Sequence, residues 1–178
     1  MPNADGADVF LANYANMHAG THGIFVDGAD YTIGNLSATE TFGRGLMIKS
    51  SSSGRLIFEN TAAGVSTITV GPGVRGMNLS APVRLTNDLN IVSQGTHSGS
   101  PVAITIGAVT NHTAGLKTIT IDSTSTSPVT QNGGYLTGEV RVVQNSSTAV
   151  LNMVQWNNLH TGGTAVNAGL MTVGNTAG

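Results

Sequence analysis

The sequence predicts an all-β chain, a right-handed parallel β-solenoid, and three observations carry that expectation. Short β-branched runs alternate with Gly, Asn, Asp and Ser corners along most of the chain. No helical pattern separates the runs from Ile24 onward, so the crossover that parallel strands need must come from the rest of each rung. That excludes a doubly wound α/β fold. Charged residues are only 9% and aromatics 4%, with 24 glycines, against roughly 25% charged residues in an ordinary soluble domain. A β-sandwich is the alternative, because short strands with turn signals describe it too.

Residues 1–23 stand apart as an N-terminal cap or assembly segment, and residues 24–178 form the solenoid domain. Phe10, Tyr14 and Met17 fall at helical spacing, with Val9 and Leu11 beside them. The segment is a short amphipathic helix or a strand at Val9 to Leu11, and either covers the apolar end of a stack. From Ile24 the strands are expected at Ile24 to Val26, Tyr31 to Ile33, Leu46 to Ile48, Leu56 to Phe58, Thr67 to Val70 and Val83 to Leu85. They continue at Leu89 to Val92, Val102 to Ile106, Lys117 to Ile121, Val140 to Val143, Val150 to Val154, Ala165-Val166 and Leu170 to Val173. Pro72, Pro82, Pro101 and Pro128 fall between strands or at a first strand position, where no ladder N–H is lost. Ser66 to Val70 alternates Thr with Ile and Val, so the aliphatics point in and the hydroxyls form outward ladders. The interior is expected to hold Ile33, Ile48, Phe58, Ile68, Val70, Ile104, Ile106, Ile119, Ile121, Val142 and Val154.

A longer period is visible in the tripeptide Thr-Ile/Val-Gly, which ends at Gly34, Gly71, Gly107 and Gly174, spacings of 37, 36 and 67 residues. Self-similarity in this range signals a repeat architecture, with one to two rungs per period and 20–25 residues per rung. The formal net charge of −2 gives nucleic acid or an anionic membrane no electrostatic reason to bind. The absence of cysteine rules out disulfides and thiolate metal sites. No apolar run is long enough for a transmembrane helix. The N-terminal residues lack the basic and apolar regions of a signal peptide.

Thr161 to Asn175, TGGTAVNAGLMTVGN, resembles the autotransporter-associated β-strand repeat of bacterial surface proteins. Leu85 to Ile121 is similar in cadence to the run that often precedes that repeat. Leu170-Met171 depart from it, standing where the family has a small residue and Thr, and only one good copy is present. The resemblance implies a β-helical fibre at the cell surface or outside the cell, and it implies no catalytic residue.

The chemistry-bearing motifs are weak. Gly71-Pro72-Gly73-Val74-Arg75-Gly76 matches G-x-G-x-x-G, but a dinucleotide site needs a following helix and an acidic residue about 20 positions on. Met77 to Pro82 is no helix. Asp27 and Asp30 flank Gly28 as in an Asp/Gly turn, and no calcium-loop pattern is matched. His18 and His22 lack a third ligand, and His97, His112 and His160 sit in polar corners, most simply facing solvent. Glu40, Glu59, Asp88, Asp122 and Glu139 are scattered singly, whereas glycoside cleavage needs paired carboxylates. No enzyme activity, cofactor or metal is therefore expected. Tyr31, Tyr135 and Trp156 are the only platforms on which a surface glycan could stack, for a glycan-binding adhesin or a polysaccharide-active protein. The leading expectation is a structural subunit that stacks head to tail. Its interface is expected to join Val9, Phe10, Leu11, Tyr14 and Met17 of one copy to Leu170, Met171 and Val173 of the next, because an open solenoid end recruits strands.

Overall fold

The computed structural model describes residues 3–11, 22–26, 28–38, 46–50, 53–72, 74, 76–94, 96–97, 100–101, 104–124, 126, 128–131, 135–154 and 158–174. Every regular element among them is a β-strand. The chain is a parallel β-solenoid whose rungs each give one strand to each of three sheets. The first sheet holds β1 (Asp8–Phe10), β4 (Asn35–Ala38), β7 (Val65–Val70), β10 (Asp88–Ser93), β15 (Lys117–Ile121), β18 (Val140–Gln144) and β21 (Thr164–Val166). The second holds β2 (His22–Phe25), β5 (Leu46–Lys49), β8 (Met77–Leu79), β13 (Ile104–Ile106), β16 (Val129–Gln131), β19 (Val150–Met153) and β22 (Leu170–Val173). The third holds β3 (Asp30–Ile33), β6 (Arg55–Phe58), β9 (Val83–Leu85), β14 (Val109–Asn111), β17 (Leu136–Gly138) and β20 (Leu159–His160). Two two-residue strands, β11 (Thr96–His97) and β12 (Ser100–Pro101), form a small antiparallel excursion between β10 and β13. Seven strands at about 4.8 Å spacing give a stack roughly 29 Å from first strand to last.

Alternation decides what goes inside. In β7 and β10 every second residue is buried, as a period of two requires. One inward column of the first sheet runs Val9, Leu36, Ile68, Ile91, Ile121, Gln144 and Val166. The third sheet contributes Ile33, Phe58 and Leu85, all fully buried. Of the expected interior residues all are buried except Val154. In β19 it is Leu151 and Met153 that face in, and Val154 follows the strand's end, out of phase with them. A void of about 20 Å³ lies among Ile106, Ile121, Leu136 and Leu151; its lining is apolar, so it stays dry.

The 36–37-residue spacing is not the rung. Paired Cα atoms of adjacent rungs are separated by as few as 20 residues (Leu151 and Met171) and as many as 32 (Leu36 and Ile68). Gly34, Gly71 and Gly107 follow strands of the third, first and second sheets respectively. The tripeptide therefore marks the end of a strand, an inward aliphatic followed by a corner glycine, in whichever sheet it occurs.

Lys49, Arg55, Arg84, Lys117 and Arg141 all lie within strands. Trypsin can reach such bonds only when a rung opens. Native protein is expected to survive at these five positions under conditions that digest the urea-unfolded chain. Early cleavage after Lys117 or Arg141, read by mass spectrometry, would contradict a cooperatively locked stack.

Candidate assembly interface

The last described rung holds β21 and β22, which stack on β18 and β19; β20 closes the rung beneath. Register sets Val166 above Gln144, Met171 above Leu151 and Val173 above Met153. These three side chains therefore face the interior. Gln144, Leu151 and Met153 are 0–4% exposed, yet Val166 is 46% and Val173 70% exposed. What differs is the absence of another layer above, among the described residues. Among the described residues, β21 and β22 are the last strands of the first and second sheets, and a strand edge without a partner templates further strands.

The other end is different. Val9, Val26 and Ile33 of the first rung are at most 6% exposed. The edge of β3 is already occupied: the Ala4 N–H donates to Thr32 O at 3.0 Å and the Thr32 N–H to Asn3 Oδ1 at 2.8 Å. The chain then turns through Gly6, whose N–H donates to Glu59 O, and enters β1. Residues 3–4 thus lie where a third-sheet strand preceding β1 would lie. At the opposite end, among the described residues, the third sheet has six strands where the first and second have seven. One end shows a final layer of first- and second-sheet strands, and the other shows a third-sheet segment above its first complete layer. The two steps are complementary.

The expected interface residues occupy distinct positions on these ends. Val9 faces in and is buried, Phe10 faces out and is 71% exposed, and Leu11 packs against the core. The segment around Phe10 is a strand of the first sheet, β1, and belongs to the stack. Tyr14 and Met17 lie outside the described residues. Met171 packs on the core, Val173 caps the interior, and Leu170, opposite Val150, lies on the outer flank of the rim. Sequence reading missed Val166, which alternation in Thr164–Val166 and the inward column of β18 place over the interior.

The final rung is held from below by polar side chains. Gln144 is buried, and its Nε2 donates to Ala149 O at 2.7 Å and to Leu170 O at 3.2 Å, tying β22 to the rung beneath. At the neighbouring corner the Ser93 N–H donates to Ser123 Oγ at 2.9 Å, Ser146 Oγ donates to Ser123 O, and the Ala149 N–H donates to Ser146 Oγ. On the outward face of the second sheet, Thr172 Oγ1 donates to Asn152 Oδ1 at 2.5 Å, and Asn152 Nδ2 to Thr130 Oγ1 at 3.4 Å. This hydroxyl–amide ladder reaches the last rung.

No protein-family model, curated protein or solved structure matches the chain. Some of the remaining sequence motifs have places in the stack, while Glu40 and Trp156 lie outside the described residues. After Gly71-Pro72 the chain enters strand β8, not a helix; Gly73 and Arg75 lie outside the described residues. Asp30 sits 3.6 Å from Arg55, while Asp27 and His18 lie outside the described residues. Carboxylates tie rungs together: Asp88 Oδ1 accepts from the Thr118 N–H and Glu139 Oε2 from the Gly115 N–H, each across one rung step, and Asp5 Oδ1 accepts from the Thr61 N–H two rungs on. Among the described residues no group of three His, Asp or Glu gathers to hold a metal.

His112 is exposed as expected, but His160 is half-buried beside the last rung, its Nε2 2.9 Å from Thr164 Oγ1. Burial lowers its pKa below 6.5, partly opposed by a backbone hydrogen bond with Gly163. The unfolded chain then takes up a proton more readily than the folded one. Any stability tied to His160 is full above pH 6.5 and falls as pH drops through the lowered folded value. An NMR titration is expected to place the His160 midpoint below 6.5; a midpoint above that value would contradict the burial argument.

Proposed function

We propose that the chain is a structural, non-catalytic solenoid subunit that extends end to end with further copies into a fibre or surface layer outside a bacterial cell. The observation that carries this reading is the complementarity of the two ends. Among the described residues the last rung offers Val166, Met171 and Val173 with no layer above them, and the first rung carries Asn3 and Ala4 on the edge of β3. Laid head to tail, residues 3–4 of one copy would follow β22 of the next as the third-sheet strand of the same rung. The contact is between unlike surfaces, so it propagates unless its rotation closes a ring. The resemblance of Thr161 to Asn175 to the autotransporter-associated repeat supports the placement outside the cell.

The test is sedimentation and electron microscopy of the chain across concentrations, beside Val173→Asp. Wild type is expected to form rods that lengthen with concentration. Val173→Asp places a carboxylate over the apolar end and is expected to leave single subunits with unchanged circular dichroism. A wild-type chain that stays monomeric at high concentration, or rods that persist in the variant, would overturn the reading.

A further inference from the structure

We propose that the flank of the third sheet binds an acidic oligosaccharide, in a groove that runs along the stack across β6, β9, β14 and β17. Two outward columns build the groove. The N–H of Leu56 donates to Pro82 O, that of Val83 to Ala108 O and that of Val109 to Tyr135 O. These bonds place Arg55, Pro82, Ala108 and Tyr135 one above another, each immediately before its strand's inward residue. Strand register places Ile57, Arg84, Thr110 and Thr137 in the adjacent column. The first column is low in the middle, where Pro82 and Ala108 are short, and tall at its ends, where Arg55 and Tyr135 stand. The space between is a groove of about 130 Å³ with Arg84, Thr110 and Thr137 along one side. Spanning four rungs, it is about 14 Å long, long enough for a short oligosaccharide.

Its chemistry selects the ligand. Tyr135 is 49% exposed and offers a ring face to the apolar C–H face of a sugar, with a hydroxyl at its tip. Thr110 and Thr137 carry hydroxyls that both donate and accept. No carboxylate lines the groove. Arg55 shares its charge with Asp30 at one end, whereas Arg84 makes no ion pair among the described residues. Two guanidiniums thus face one groove on a chain of net charge −2. A guanidinium fork matches a carboxylate bidentately, so an uronate places its acid on Arg84 and its ring toward Tyr135. A free inorganic anion would use Arg84 and leave the rest of the groove empty. Nucleic acid would need a longer basic track to neutralise successive phosphates. The groove lies on the flank, away from both ends, so it stays open in an end-to-end stack.

The experiment is titration calorimetry with NMR shift mapping, using a galacturonate tetrasaccharide, the neutral galactose tetrasaccharide, and sodium sulfate. The acidic oligosaccharide is expected to bind saturably and to shift Thr110, Tyr135 and Thr137. Arg84→Gln should weaken it by at least about tenfold, Tyr135→Ala should weaken it too, and Lys117→Gln, on the first sheet, should not. Shift mapping on the wild-type chain locates the ligand even if a variant folds poorly. No binding at millimolar ligand, equal binding of the neutral sugar, equal binding of sulfate, or shifts confined to another face would each overturn the proposal.

Discussion

Replacing Phe58 with alanine is expected to destabilise the chain by about 3–5 kcal/mol. Phe58 is fully buried and stands between Ile33 and Leu85 in the third sheet's inward column. Truncating it removes the transfer free energy of the ring and leaves a cavity that the neighbours fill poorly. Ile33 and Leu85 belong to strands whose spacing is fixed by backbone ladders, so neither can move along the stack without breaking hydrogen bonds. In a solenoid the damage falls on the interfaces with the adjacent rungs, because each rung contacts only its neighbours. Phe10→Ala removes the same ring from a side chain that is 71% exposed and should cost within about 0.5 kcal/mol. Urea unfolding of both variants checks the pair. A loss below about 1 kcal/mol for Phe58→Ala would mean that the interior relaxes as loosely packed cores do.

The fold was legible where strands carry their own alternation. Val83–Leu85, Lys117–Ile121 and Leu170–Val173 have the expected bounds, because each pairs aliphatics at every second position or ends at a Gly/Asn corner. Asn35–Ala38, Met77–Leu79, Val109–Asn111 and Leu136–Gly138 were not legible. Each is three or four residues with one or two apolar side chains, and it is extended because ladders above and below hold it. Here tertiary pairing sets the conformation, and local propensity is too weak to announce it. The rung length was hidden for a related reason. Corner loops differ in length from rung to rung, so inward residues recur at no fixed interval. The same irregularity concealed the flank groove: Arg55, Arg84 and Tyr135 are far apart in sequence, and only the register stacks them. The end rung was read more successfully, because an apolar strand between glycines is visible in one dimension. Even there, which of Leu170, Met171 and Val173 face inward depended on the partner strand β19.

Gly169→Val is expected to release β22 from the stack while leaving the lower rungs folded. Gly169 has φ +73°, and a Cβ built on it would lie 2.1 Å from the backbone oxygen of Ser146. Two independent costs therefore fall on one substitution. A β-branched residue in the left-handed region is strained, by about 1–2 kcal/mol. The contact with Ser146 adds about 1–3 kcal/mol more, as overpacking does, because the obstacle is backbone. Ser146 cannot retreat easily: its hydroxyl is bonded to Ser123 O and takes the Ala149 N–H. Gly163→Val separates the two costs. That glycine also has positive φ, +76°, but nothing lies within 4 Å of its added Cβ, so only the strain applies. Hydrogen exchange is the measurement. In Gly169→Val the amides of β22 should lose most of their protection while those of β7, β10 and β15 keep theirs. Gly163→Val should show a smaller local loss. If assembly uses the last rung, Gly169→Val should also abolish rod growth without lowering the urea midpoint of the interior strands. Full protection of β22 in this variant would mean that the corner re-forms around a side chain, and the close approach of Gly169 to Ser146 would then not be what holds the final strand in register.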